Sequence, residues 1–137
     1  MFKTVFTNGC FDVIHMGHID LLKFCKNMGE KVVIGLNSDA SVRKLKGDTR
    51  PINNEIDRMN LLLSIKYVDE VIIFNENTPY ELISTVKPDL LVKGGDYDST
   101  VTDKNDPKYV VGRDIVKSIN IFKYRRGYST TNILSKI

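Results

Sequence analysis

Short apolar runs alternate along this chain with longer stretches in which apolar residues return every three or four positions. Lys3 to Thr7, Lys31 to Leu36, Val71 to Phe74, Leu90 to Lys93 and Ile119 to Phe122 are rich in Val, Ile, Leu and Phe, and predict five strands. They are nearly continuous in apolar character, without clean alternation, which points to strands covered on both faces as in a parallel sheet. Ile19, Leu22, Cys25 and Met28 recur at helical spacing after Gly17-His18, and Gly29 reads as the stop of that helix. Asn53 or Asn54 can cap a second helix that buries Ile56, Met59, Leu62 and Leu63. Thr78-Pro79-Tyr80-Glu81 has the form of a capping box opening a third, which ends near Val86 because Pro88 cannot continue it. Strands alternating with helices predict βαβ units, and right-handed crossovers make of them a doubly wound α/β sheet with helices on both faces. Gly94 to Lys108, rich in Gly, Asp, Ser, Thr and Asn, reads as a long loop of the kind that carries function.

Sheets of this type bind ligands beyond the carboxyl ends of their strands, which draws attention to the end of the first strand. Thr7-Asn8-Gly9-Cys10-Phe11-Asp12 passes through Val13-Ile14-His15-Met16-Gly17-His18 into the first helix. Gly9 and Gly17 allow close approach of the backbone, and a helix start offers N–H groups with a partial positive charge, so an anion belongs there. His15 and His18 are the two histidines of the sequence; their three-residue spacing puts both imidazoles on one side, facing that anion. Neither G-x-x-x-x-G-K-[ST] nor a strand-following G-x-G-x-x-G occurs, so neither an ordinary P-loop nor a dinucleotide fingerprint is supported. Two histidines with only Cys10 or Asp12 nearby make a poor zinc site.

Length and composition narrow the picture. The 137 residues are one domain's worth, 1–137, with 42% apolar and 27% charged residues, as in a soluble globular protein. The net charge of +3 is spread along the chain, which argues against nucleic acid as partner and suits a polyanionic small ligand. Cys10 and Cys25 are too few for a disulfide framework and read as reduced thiols. No stretch approaches the ~18 apolar residues of a membrane span, and the N-terminus has no leader pattern, so the expectation is a cytoplasmic protein with no membrane partner.

Gly9-Cys10-Phe11-Asp12, His15-Met16-Gly17-His18 and Ser129-Thr130-Thr131 together resemble the signatures of the cytidylyltransferase-like (HxGH) nucleotidyltransferases, which attack the α-phosphorus of a nucleotide and release pyrophosphate. Asn37-Ser38-Asp39-Ala40-Ser41, Lys44-Leu45-Lys46-Gly47, Thr49-Arg50-Pro51, Arg58-Met59 and the run from Pro88 to Tyr97 are similar to one subgroup, the D-glycero-β-D-manno-heptose 1-phosphate adenylyltransferases. The resemblance covers nearly the whole chain. It implies a Rossmann-like fold and transfer of AMP from ATP to a sugar 1-phosphate, giving an ADP-heptose for surface polysaccharide. A cytidylyltransferase using CTP and glycerol 3-phosphate or another phosphorylated alcohol is the alternative, and a non-catalytic nucleotide-binding module a more distant one.

The resemblance also assigns roles. His15, His18, Lys44 and Lys46 become the catalytic set, the imidazoles stabilising the five-coordinate phosphorus and the lysines neutralising triphosphate and acceptor phosphate. Asn8, Gly9, Cys10, Phe11, Gly17, Gly94, Asp96, Ser129, Thr130 and Thr131 are expected to bind the nucleotide. Asp12, Lys46, Arg50 and Arg58 are expected on the acceptor side, with Arg50 and Arg58 alternatively pairing with helix or loop acids. By itself Cys10 reads better as a packed small residue than as a reactive thiol. Mg²⁺ is implied as cofactor, held by the triphosphate and not by protein side chains, and relatives imply a homodimer. A sugar kinase unit often shares the chain in this subgroup; none is visible here, so the expectation is that a separate protein phosphorylates the sugar. Arg125 and Arg126 receive no role.

Overall fold

A computed structural model describes residues 1–124. The elements are β1 (Phe2–Gly9), α1 (Met16–Met28), β2 (Gly29–Asn37), α2 (Asp39–Lys46), α3 (Glu55–Leu63), β3 (Glu70–Phe74), α4 (Tyr80–Val86), β4 (Leu90–Gly94) and β5 (Ser118–Phe122). All five expected strands form, and every pairing is parallel, in the order β3-β2-β1-β4-β5. The doubly wound sheet follows, with its change of winding direction between β1 and β4.

Side chains alternate across the sheet. Val5 of β1 with Val32, Ile34 and Leu36 of β2 face one layer, where Leu21, Leu22 and Cys25 of α1 and Leu62 of α3 complete a buried cluster. Phe6 and Val33 face the opposite layer, packed with Ile83 of α4, Leu91 and Val110. Fully burying each such side chain contributes roughly 1.5–3 kcal/mol. Val110 belongs to the long segment between β4 and β5, which covers this face with its own side chains and turns where a crossover helix would otherwise lie.

Several local expectations are corrected. Gly29 does stop α1, as its C-cap, but with an extended backbone at φ −151° and as the first residue of β2. A Cβ there would lie 2.3 Å from Val5 Cγ2, so close packing of β2 on β1 is what requires glycine. Asn54 does cap α3, its Oδ1 accepting from the Asp57 N–H at 2.9 Å. The buried face is narrower than expected, since Ile56 and Leu63 are about half exposed and Arg58 is buried in their place. The reciprocal capping box at α4 does not form: Pro79 is the N-cap and Thr78 Oγ1 accepts only from the Tyr80 N–H, at 3.4 Å, although the helix ends at Val86 as expected. The segment at α2 was not expected as a helix; Ser38 caps it, accepting from the Ser41 N–H at 3.1 Å.

Candidate active site

The β1–α1 turn is built by its own polar groups. The Gly17 N–H donates to His15 Nδ1 at 3.1 Å, and the His15 N–H donates to His18 Nδ1 at 3.2 Å. The two imidazoles thereby cap the helix reciprocally, as hydroxyl and carboxylate do in an ordinary capping box. An Nδ1 that accepts cannot carry the proton of a neutral ring, so both rings hold it on Nε2. The rings stack with centroids 3.9 Å apart, and the Phe11 ring lies tilted 5.1 Å from that of His18. Burial, then His15 and Lys46, push the His18 pKa down to about 3, and burial also lowers that of His15. In the free protein the pair is therefore neutral near pH 7, with Nε2–H donors at the start of a helix.

His18 lines a cleft of about 180 Å³ together with Asn8, Gly9, Cys10, Phe11, Asp12, Lys46, Lys93, Gly94 and Tyr124. It opens at the β1/β4 switch point, where doubly wound sheets hold their ligands. Gly9 keeps this opening clear, since a Cβ there would press to 3.1 Å from the Phe11 ring; Phe11 itself takes a left-handed backbone, φ 46°. A Cβ on Gly94 would lie 2.4 Å from the Tyr124 hydroxyl oxygen. Burial raises the Cys10 pKa, with Lys46 and Arg58 opposing, so Cys10 is a thiol against the cleft wall.

Of the residues expected from the sequence, the cleft gathers Asn8, Gly9, Cys10, Phe11, Asp12, His18, Lys46 and Gly94. His15, 9% exposed, sits behind His18, and Gly17 is buried in the turn. Lys44, two positions before Lys46 on α2, is not among the residues lining the cleft. Asp96 is likewise outside, its side chain 88% exposed with Lys108 Nζ at 3.7 Å. Ser129, Thr130 and Thr131 lie outside the described residues.

Three of the residues expected on the acceptor side are held by protein partners. Arg58 is fully buried: its Nε donates to Asn53 O at 2.9 Å, Nη1 to Cys10 O at 2.8 Å and Asn37 O at 2.7 Å, and Nη2 to Asp39 Oδ1 at 2.7 Å. Arg58 therefore ties the ends of β1, β2 and the loop before α3 together and does not reach a substrate. Asp12 accepts from Arg50 Nε at 2.7 Å and from the N–H groups of Ile52 and Asn53 at 2.9 Å. Burial alone would raise its pKa, but those N–H groups and Arg50 outweigh it and hold the carboxyl below its usual range. Asp12 and Arg50 thus brace the β1–α1 turn to the loop after α2, the paired alternative for Arg50, while Arg50 Nη2 makes no hydrogen bond among the described residues. Asp12 contributes an edge of the cleft wall with its ligand capacity already committed.

Lys93 and Tyr124 were not singled out from the sequence. Lys93 follows three buried apolar residues of β4, and Tyr124 follows β5; only strand order brings both to the end of β1. Tyr124 stands edge-on to both imidazoles, at 6.5 and 6.3 Å, and burial pushes its pKa up to about 12.

Among the described residues no group of three or more His, Cys, Asp or Glu side chains could hold a metal ion, and no helix is long and apolar enough to cross a membrane. Comparison with known proteins gives a consistent outcome. Bifunctional protein HldE of a Nitratiruptor species is 51% identical over 98% of this chain, and its namesake from Campylobacter jejuni subsp. jejuni serotype O:2 is 50% identical over 98%. The chain spans 28% of the length of each. The crystal structure of the lipopolysaccharide core biosynthesis protein from Thermoplasma volcanium is 28% identical, covers 94% of this chain and 100% of its own, and superposes with a TM-score of 0.67. The family model described as cytidylyltransferase-like matches residues 6–136, and with the sheet order and the paired-histidine turn it establishes that this chain belongs to the cytidylyltransferase-like family.

Proposed function

We propose that this chain is a nucleotidyltransferase that moves AMP from ATP to a sugar 1-phosphate, D-glycero-β-D-manno-heptose 1-phosphate, and releases pyrophosphate. The observation that carries the chemistry is the cleft at the β1/β4 switch, where the His18 imidazole, the Lys46 side chain and two close-approach glycines meet at the start of α1. A phosphate oxygen of the acceptor attacks the α-phosphorus in line, the bond to the pyrophosphate oxygen breaks, and no protein nucleophile takes part. The Nε2–H of His18 donates to a non-bridging oxygen whose charge grows as phosphorus becomes five-coordinate; one such donor is worth about 3 kcal/mol. The His15 ring fixes His18 in place by stacking and by capping. Lys46 neutralises phosphate charge, and Asn8, Gly9, Cys10, Phe11 and Gly94 form the nucleotide wall, with Ser129, Thr130 and Thr131 assigned to its phosphates by family resemblance.

Mg²⁺ belongs to this reading as a partner of the triphosphate. Asp12, the carboxylate among the described cleft residues, is already filled by Arg50, Ile52 and Asn53, so phosphate and water oxygens are the ligands this site leaves, in keeping with the ion's preference. When bound, the ion offsets charge on the leaving pyrophosphate.

The identity of relatives named HldE supports the adenylyl and heptose assignment, and the product would serve surface polysaccharide synthesis in the cytoplasm. A homodimer completes the reading; Ile52, Ile56, Leu61 and Leu63 leave apolar surface exposed around α3 that a second copy would cover. A panel of triphosphates and phosphorylated acceptors read by pyrophosphate release tests it. Turnover is expected with ATP and the heptose 1-phosphate; turnover confined to CTP and glycerol 3-phosphate would replace the adenylyl reading, and tight nucleotide binding without any pyrophosphate would make the chain a binding module. A monomer in sedimentation at micromolar concentration removes the dimer.

A further inference from the structure

Lys93 is placed where a cation is hard to account for by the free protein alone. It lies at the end of β4, paired in register with Ile121, and lines the cleft one residue before Gly94. Its ammonium sits 4.7 Å from the centroid of the Tyr97 ring, and among the described residues it makes no ion pair with a carboxylate. Lys93 is only half-buried, but a cation partly withdrawn from water is ordinarily paired, and a single cation–π contact is weaker than a hydrogen-bonded ion pair. Burial accordingly lowers the Lys93 pKa, with Cys10 acting in the opposite sense.

The sheet order says which substrate the charge faces. Lys46 reaches the cleft from α2, the element following β2, on one side of β1; Lys93 reaches it from β4, on the other side. His18 stands between them at the start of α1. A reaction that joins two phosphate-bearing molecules needs a cation on each flank of the transferred group. The β4 flank also carries Gly94, whose lack of a side chain admits Tyr124, and this is the wall assigned to the nucleotide.

We propose that Lys93 is a catalytic residue on the nucleotide side, its ammonium pairing with an α-phosphate oxygen of the bound nucleoside triphosphate while the Tyr97 ring holds the side chain in position. This rests on the nucleotidyltransferase reading of the same cleft. The bound nucleotide supplies an anion that the described residues do not, so Lys93 serves binding at the expense of the unliganded fold.

Calorimetric titration of the full chain and of Lys93→Met with ATP and AMP, with CTP and CMP in parallel, together with thermal melting of the free proteins, tests this. Loss of one charged hydrogen-bond partner is expected to weaken triphosphate and monophosphate alike, by about 10- to 100-fold. The free variant is expected to melt at or above the wild type, because an unpaired cation is replaced by an apolar chain of similar length; a merely structural lysine would give the reverse, lower melting with binding intact. Triphosphate affinity within twofold of wild type, or a loss confined to the triphosphate with the monophosphate unaffected, overturns the α-phosphate contact. If the methionine variant does not fold, Lys93→Gln, uncharged but still polar, carries the same comparison. A wild-type protein that binds neither ATP nor CTP overturns the nucleotidyltransferase reading and the role of Lys93 with it, whereas a variant matching a wild type that does bind removes Lys93 alone.

Discussion

His15 and His18 close the first turn of α1 and, in the proposed reaction, face the phosphates with the same spacing. Their Nδ1 atoms close the first turn of α1, which leaves each neutral ring with its proton on Nε2, the tautomer a phosphate oxygen requires. His18→Ala should therefore lose roughly a hundredfold or more in kcat and, separately, about 1 kcal/mol of stability from the lost cap; a folded variant with unchanged kcat in the pyrophosphate assay would remove the catalytic role. Arg58 teaches the opposite lesson. An arginine in a motif near a phosphate site invites assignment to the substrate, yet this one is fully enclosed and donates to three backbone carbonyls and Asp39. Arg58→Met should cost about 3 kcal/mol in urea unfolding, because it strands those acceptors and leaves Asp39 without its partner. Histidine spacing was readable in the sequence because its partners are local. The partners of Arg58 lie 19 to 48 positions away for Asp39, Asn37 and Cys10, and no local pattern reports them.

At the scale of elements, apolar runs located every strand, since burial on both faces leaves a dense signal in a short window. Caps were less legible. Asn54 behaves as its position suggests, but Thr78 and Glu81 do not form the box their spacing permits, and α2, with few apolar positions, gave no helical period to find. Gly29 shows how one residue can be marked correctly for the wrong reason. Its extended backbone is open to any residue, so as a mere helix terminus it would tolerate alanine or gain about 0.5 kcal/mol from it. The clash with Val5 instead predicts that Gly29→Ala destabilises by about 1–3 kcal/mol, measured by chemical unfolding, as overpacking does.

For the whole molecule, the histidine pair makes stability depend on pH. The folded-state pKa of His18 is pushed to about 3 from 6.5, so between those values the unfolded chain holds a proton that the folded chain does not. Stability from this source is complete above about pH 6.5 and is lost progressively as pH falls towards 3, with His15 contributing in the same direction. Unfolding followed from about pH 7 to about 4.5, above the range in which Asp12 and Asp69 titrate, should show that decline, and His18→Gln should flatten it. A wild-type curve already flat over this interval would mean that the imidazole is not held neutral by its surroundings.

By itself the sequence determined the strands, the α/β class and the histidine-bearing turn at the end of β1, because each is written in residues within a few positions of one another, and the family likeness, because its motifs are each contiguous even where they lie far apart. Only the tertiary structure decided that Lys46 lines the cleft, that Asp12, Arg50 and Arg58 brace its surroundings, and that Lys93 and Tyr124 lie beside them. Those outcomes depend on strand order and on which side of a helix or strand meets its neighbour. Both are settled by how apolar faces far apart in the chain come to cover each other, and that information has no local spelling.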